Sequence, residues 1–186
     1  MFKQIFELFK SDSLYEQALV ECHEMLEIDR EMFNESTKSL RHSDNADIPI
    51  DIYAMDKKIN EFERDVRRKV MTHLAVSGNE DLGSGLILVS VVIDIERIGD
   101  YTKNIYDLAV HYPEKLIGGS FENTLSDMEK STMNFLNNTI DTFKSQNIDE
   151  ARKLMVDYKK DISSTSNDIV NTIISGANNE FSADKA

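Results

Sequence analysis

Leu86 to Asn104 reads LILVSVVIDIERIGDYTKN. From Leu86 to Ile98 apolar residues fall all round a helical wheel, the pattern of a buried helix rather than one lying on a surface. Such a helix should hold few ionisable groups, yet Asp94, Glu96, Arg97 and Asp100 arrive within it or at its end. At about 100° per residue, Glu96 points the same way as Val89, Val92 and Ile93, and Asp100 and Asn104 follow it at i+4 and i+8. One face is therefore apolar for two turns and then acidic. Ionised carboxylates taken out of water cost several kcal/mol each unless they are paired or bound to a cation. This face requires a partner.

The helix before it supplies one. Ser77-Gly78-Asn79 stops a helix that begins at Asp51 and carries Ile52, Met55, Ile59, Phe62, Val66 and Val70 at coiled-coil spacing. The turn through Gly83 and Gly85 is short, so the two helices should be antiparallel neighbours. Asp56 and Glu63 lie within about 60° of the seam centre, with Asn60 further out. They are early in the second helix, and Glu96, Asp100 and Asn104 are late in the third, so the two acidic clusters meet at one end of the bundle. Up to four carboxylates and two amide oxygens make an oxygen-rich site that suits magnesium, calcium, manganese or iron better than zinc or copper. A bare Glu-x-x-x-Asp on a helix is more often a solvated face.

A first helix, capped by Ser11 or Ser13 and running to about Leu40, puts Tyr15, Ala18, Cys22, Met25, Leu26, Met32, Phe33 and Leu40 on one stripe. Asp29 sits in the middle of that stripe and is expected to be a core-edge acid bonded to a neighbouring helix, with metal ligation as the alternative; Arg97 is its expected mate in a structural ion pair joining the first and third helices. The lone cysteine, Cys22, excludes an internal disulfide and a multi-cysteine zinc site and reads as a small core residue. Residues 1–10, MFKQIFELFK, read as a short amphipathic helix docking on the bundle, with membrane-surface attachment as the alternative. They are too short and too charged for a signal peptide or a span.

Pro113 and the pair Gly118-Gly119 mark a break, so residues 113–121 are expected to be a linker between a bundle over 11–112 and a second part over 122–186. There, Asn123 to Lys144 and Ile148 to Ser175 read as two helices, with Gln146 and Asn147 in the turn and a polar tail after Gly176. The inward set of the second of these is expected to be Ala151, Leu154, Met155, Tyr158, Ile162, Ile169 and Ile173.

Composition narrows the function. A formal net charge of -13 argues against nucleic acid, whose phosphates need a basic footprint, and against direct capture of free phosphate without a metal. No nucleophile with an adjacent base, phosphate-cradling glycine loop or Cys/His cluster appears, so nothing here points to an enzyme. No apolar run approaches the length of a membrane span, and the protein is expected to be cytoplasmic.

Glu-Arg-Ile-Gly-Asp followed by Tyr-x-x-Asn-Ile, Glu96 to Ile105, resembles the signature of the PhoU family of phosphate-signalling proteins. The resemblance implies an all-α fold of tandem three-helix bundles. Position by position, Glu96, Arg97, Asp100 and Asn104 match the family's third-helix motif, while Asp56, Asn60 and Glu63 resemble its second-helix partner more loosely. In that family such motifs are associated with metal clusters, which implies a divalent or trivalent ion here, iron, manganese, magnesium, calcium or zinc. The last two helices look like a divergent copy of the first pair: Asp157 falls on Asp56 and Asp161 on Asn60, and the copy's third helix is missing. By the family pattern Asp157 and Asp161 are then half a site, and the groove left open implies a homo-oligomer.

The function implied is a metal-binding helical adaptor regulating phosphate uptake and signalling. It would act by contact with a phosphate transporter component or a sensor histidine kinase, touching the membrane only peripherally through those partners. The rivals are an accessory subunit of a phosphate permease and a carboxylate-bridged metalloenzyme. A further reading makes Glu96 and Asp100 purely structural, paired with Arg97, Arg64, Arg67 or Arg68.

Overall fold

The computed structural model describes residues 11–77, 81–112 and 114–176. The expectations for residues 1–10 and for the tail after Gly176 fall outside the described residues. The chain divides into two compact units, Met1–Glu114 and Lys115–Ala186. Among the described residues all regular structure is helical.

In the first unit α1 (Ser11–His42), α2 (Ile52–Ser77) and α3 (Leu82–His111) pack pairwise as a three-helix bundle. Each forms because its apolar positions recur every three or four residues. Ala18, Cys22, Met25 and Met32 from α1, Ile59, Val66 and Val70 from α2, and Val92 from α3 have essentially no solvent exposure. Burying one side chain of this size stabilises by about 1.5–3 kcal/mol relative to leaving it in water, so the seam accounts for much of the fold. Cys22 lies wholly within it, and burial pushes its thiol up to about 12. Asp51 starts α2, its Oδ1 accepting from the Ala54 amide at 3.0 Å and satisfying one of the donors that a helix start leaves over.

Two expectations about α3 are corrected. Gly83 and Gly85 are not a turn, because α3 already begins at Leu82. Gly85 is there for packing: a Cβ on it would stand 2.9 Å from Leu74 Cδ1, so glycine lets α2 and α3 approach closely. Nor is α3 buried all round. Gly85, Leu88, Val92, Ile95, Gly99, Thr102 and Ala109 face inward, while Leu86 and Ile87 are 53% and 66% exposed. Three helices enclose only one side of each member, so an all-round apolar sequence leaves its outer face showing.

The second unit, among its described residues, is a helical hairpin. A single 3-10 turn (Gly119–Phe121) leads into α4 (Glu122–Ser145). Gln146 turns the chain in the left-handed region, φ 53°, and Asn147 caps the next helix, its side chain accepting from Glu150 N at 3.1 Å. That helix runs as α5 (Ile148–Asp157), a π turn (Tyr158–Ser163) and α6 (Ser164–Ile174). Met155, expected inward, is 68% exposed: it stands about 100° round the helix from the buried Leu154, and a single facing helix covers only a narrow stripe. Tyr158 and Ile173 are also exposed, and the π turn, not legible in the periodicity, shifts the phase of the residues that follow it. Tyr158 still lays its ring against Phe135, at 5.4 Å between centroids.

Candidate acidic site

The face of α3 that turns acidic meets α2 where the antiparallel pairing predicts. Glu96 is half-buried, and its carboxyl is pushed above the usual range, first by burial and then by the charges of Asp100, Glu63 and Asp56, with Lys103 opposing. The carboxylates of both helices therefore share one field.

Lys103 occupies the middle. Its Nζ donates to Asp56 Oδ1 at 3.1 Å and Asp100 Oδ1 at 3.0 Å, tying α2 to α3, and the bond to Asp100 above all holds its ammonium above the usual lysine range. Glu63 pairs with Arg67 Nη1 at 2.8 Å along α2. Asn60 donates to the Asp56 carbonyl at 3.0 Å, and Asn104 is exposed.

Asp29 enters from α1. It has no solvent exposure, and neither carboxylate oxygen accepts a hydrogen bond. Burial, followed by the charges of Glu96 and Asp56, pushes it up to about 9, so it carries its proton at neutral pH. The backbone makes room for it: a Cβ on Gly99 would stand 3.0 Å from Asp29 Oδ1 and 2.9 Å from Ile59 Cδ1. Only glycine at that point of α3 lets the acid sit against the helix.

The expected ion pair between Asp29 and Arg97 is not formed. Arg97 lies on the outer face of α3, 57% exposed, where it donates to the Tyr101 hydroxyl at 3.2 Å and approaches Asp94. A guanidinium pointing to solvent cannot reach a buried acid on the opposite face. Lys103 and Gly99 are what the sequence reading missed, although Lys103 stands one turn after Asp100 and so on its side of the helix.

At the same end Tyr53 donates to Asp107 Oδ1 at 2.6 Å and Tyr106 to the Ala46 carbonyl at 3.1 Å, fastening the start of α2 and the loop before it onto the end of α3. In the second unit Asp157 is half-buried and Asp161 is exposed within the π turn, where the i, i+4 alignment of a regular helix no longer holds.

The donor set is of a kind that hard cations take. In this arrangement the Lys103 ammonium neutralises Asp56 and Asp100, so an ion would have to displace it. Among the described residues no group of three or more His, Cys, Asp or Glu side chains is placed to hold an ion.

The first unit is thus a three-helix bundle whose second and third helices bring carboxylates together around one basic side chain. Residues 22–109, just under half of the chain, match the family model described as PhoU domain. The match contains α2 whole, nearly all of α3 and about two thirds of α1, and hence every acid named above in the first unit. No curated protein and no solved structure matches the chain. The family points to a role in regulating phosphate transport. Among the described residues no helix is long and apolar enough to cross a membrane.

Proposed function

We propose that the protein is a cytoplasmic helical adaptor that regulates phosphate uptake by binding a component of a phosphate transporter or a sensor histidine kinase. The observation that carries this is the PhoU domain match over residues 22–109, with its signature acids Glu96 and Asp100 gathered against Asp56 and Glu63. Adaptor work needs a shaped, charged surface and no turnover, and a bundle held by an internal seam leaves its outer faces for partners. The test is phosphate uptake in cells lacking the gene, complemented with the parent or with a Glu96→Ala, Asp100→Ala variant. Uptake that loses its response to external phosphate, restored by the parent alone, is the expected result; an unaltered response in the deleted strain overturns the reading.

Entry of a divalent or trivalent ion into the acidic cluster belongs to the same proposal. Because Lys103 bridges Asp56 and Asp100, such an ion has to compete with its ammonium. Elemental analysis with thermal melts before and after chelation separates the two counter-ions. Stoichiometric metal and a melt that falls on chelation support the ion, since binding to the native state alone adds stability. Metal-free protein with an unchanged melt leaves Lys103 as the resident cation and the cluster as a structural ion-pair network.

A further inference from the structure

On the hairpin of the second unit, Arg152, Met155, Val156, Lys159 and Lys160 line one open groove of about 570 Å³. They recur at i, i+3, i+4, i+7 and i+8, a single stripe of the helix on the side away from the buried Leu154. The two lysines stand in the π turn, a wider turn that often marks a working part of a helix. Met155 and Val156 make an apolar floor, and three cations rim it. Lys159 and Lys160 pair with no carboxylate among the described residues, and Arg152 approaches the exposed Asp149 at 3.3 Å. In a chain of net charge -13 this is a local reversal of sign, and it fits an occupant that is acidic with an apolar centre.

The outer face of α1 is such a surface. Glu16, Val20 and Glu24 are exposed on it at i, i+4 and i+8, opposite the buried Ala18, Cys22 and Met25. Neither glutamate has an ion-pair partner among the described residues. Four residues rise about 6 Å along a helix, so acid, valine, acid on α1 matches Arg152, Val156 and Lys160 in order and closely in spacing. The phosphates of a bilayer offer no fixed spacing for the groove to match. Repulsion between two copies of this net charge is screened beyond about 8 Å at physiological salt, whereas paired side chains meet within about 4 Å.

We propose that the groove of one copy takes the α1 face of a second copy. Val20 lies over Met155 and Val156, with one glutamate against Arg152 and the other against Lys159 and Lys160. The two faces are unlike, so the contact joins copies head to tail. It gives the homo-oligomer named surfaces and is independent of the phosphate reading.

Sedimentation equilibrium of the full chain over a range of concentrations reads the contact. The mean mass of the parent should rise with concentration. Lys159→Glu with Lys160→Glu should hold it at 21.3 kDa, one chain, and so should Glu16→Lys with Glu24→Lys. The first pair makes the chain more negative and the second less so, hence an effect of bulk charge would move them in opposite directions. The two variants mixed, or all four changes in one chain, should associate again. Every altered residue is exposed, so far-UV circular dichroism should show the helices intact in each variant. A parent that stays monomeric at all concentrations overturns the proposal. So does association that either pair leaves unaltered, or that the mixture and the fourfold variant fail to regain. Binding of a monomeric parent to phosphatidylcholine–phosphatidylglycerol vesicles, lost with Lys159→Glu and Lys160→Glu, reassigns the groove to a lipid surface.

Discussion

The two units of this chain are built from the same kind of helix and hold together very differently. In the first, three helices surround a seam in which residues such as Met25, Met32, Ile59 and Val66 are fully enclosed. In the second, the described residues form a hairpin whose buried hydrophobic residues are Leu136, Ile140 and Leu154, while Met155, Val156 and Ile174 are each at least 65% exposed. Two helices can cover each other on one side only, and a third is what encloses a core. The lesson is that amphipathic periodicity forms a helix, but the number of neighbours decides how much of its apolar surface leaves water.

The comparison is open to direct test, and the largest effect belongs to the seam. Val66→Asp places an unpaired charge at a site with no exposure, a cost of several kcal/mol against a total stability of about 5–15 kcal/mol. Calorimetry should lose the cooperative transition of the first unit, while helical signal from the second persists. Simultaneous loss of both would show that the units do not fold separately.

The next effect is titratable. Asp29 ionises near 3.9 when unfolded and at about 9 when folded. Its folded value is raised, so the native state binds the extra proton between those limits, and stability falls as pH rises through that window. From pH 5 to pH 8 this amounts to about 4 kcal/mol at about 1.4 kcal/mol per pH unit. Asp29→Asn should remove that slope and leave the variant more stable than the parent at pH 8, read from denaturant midpoints at the two pH values. A parent whose stability is flat over the range would mean that Asp29 is solvated or paired.

The smallest effect lies in the second unit. Gln146 holds φ 53° between α4 and α5, a conformation that glycine adopts without strain. Gln146→Gly should stabilise the hairpin by about 0.5–1 kcal/mol, seen as higher helical content on mild heating. No gain would show that the turn is not what limits this unit.

Much of the candidate site could be read from spacing. The antiparallel pairing of α2 and α3 followed from one short connection, and it correctly set Asp56 and Glu63 in the same field as Glu96 and Asp100. What failed was the choice of partners. Arg97 is the neighbour of Glu96 in the chain, but one residue is about 100° on a helix, which carries its guanidinium out to solvent. Lys103 was overlooked because its position matters only once α2 lies beside it. Met155 was misassigned because one facing helix covers only the stripe of Leu154, and the phase after Asp157 was misread because a π turn's i to i+5 bonding has no signature in hydrophobic spacing.

The sequence by itself therefore determined the helices, their limits to within a few residues, the antiparallel α2–α3 pair and the PhoU signature, because each depends on residues close together in the chain. Only the tertiary structure decided that Asp29 is buried as a protonated acid against Gly99 and that Lys103 bridges Asp56 and Asp100. It also decided that one face of the most apolar helix remains in water. Those outcomes depend on which side of each helix has a neighbour, and that is settled by packing across the bundle rather than by any local pattern.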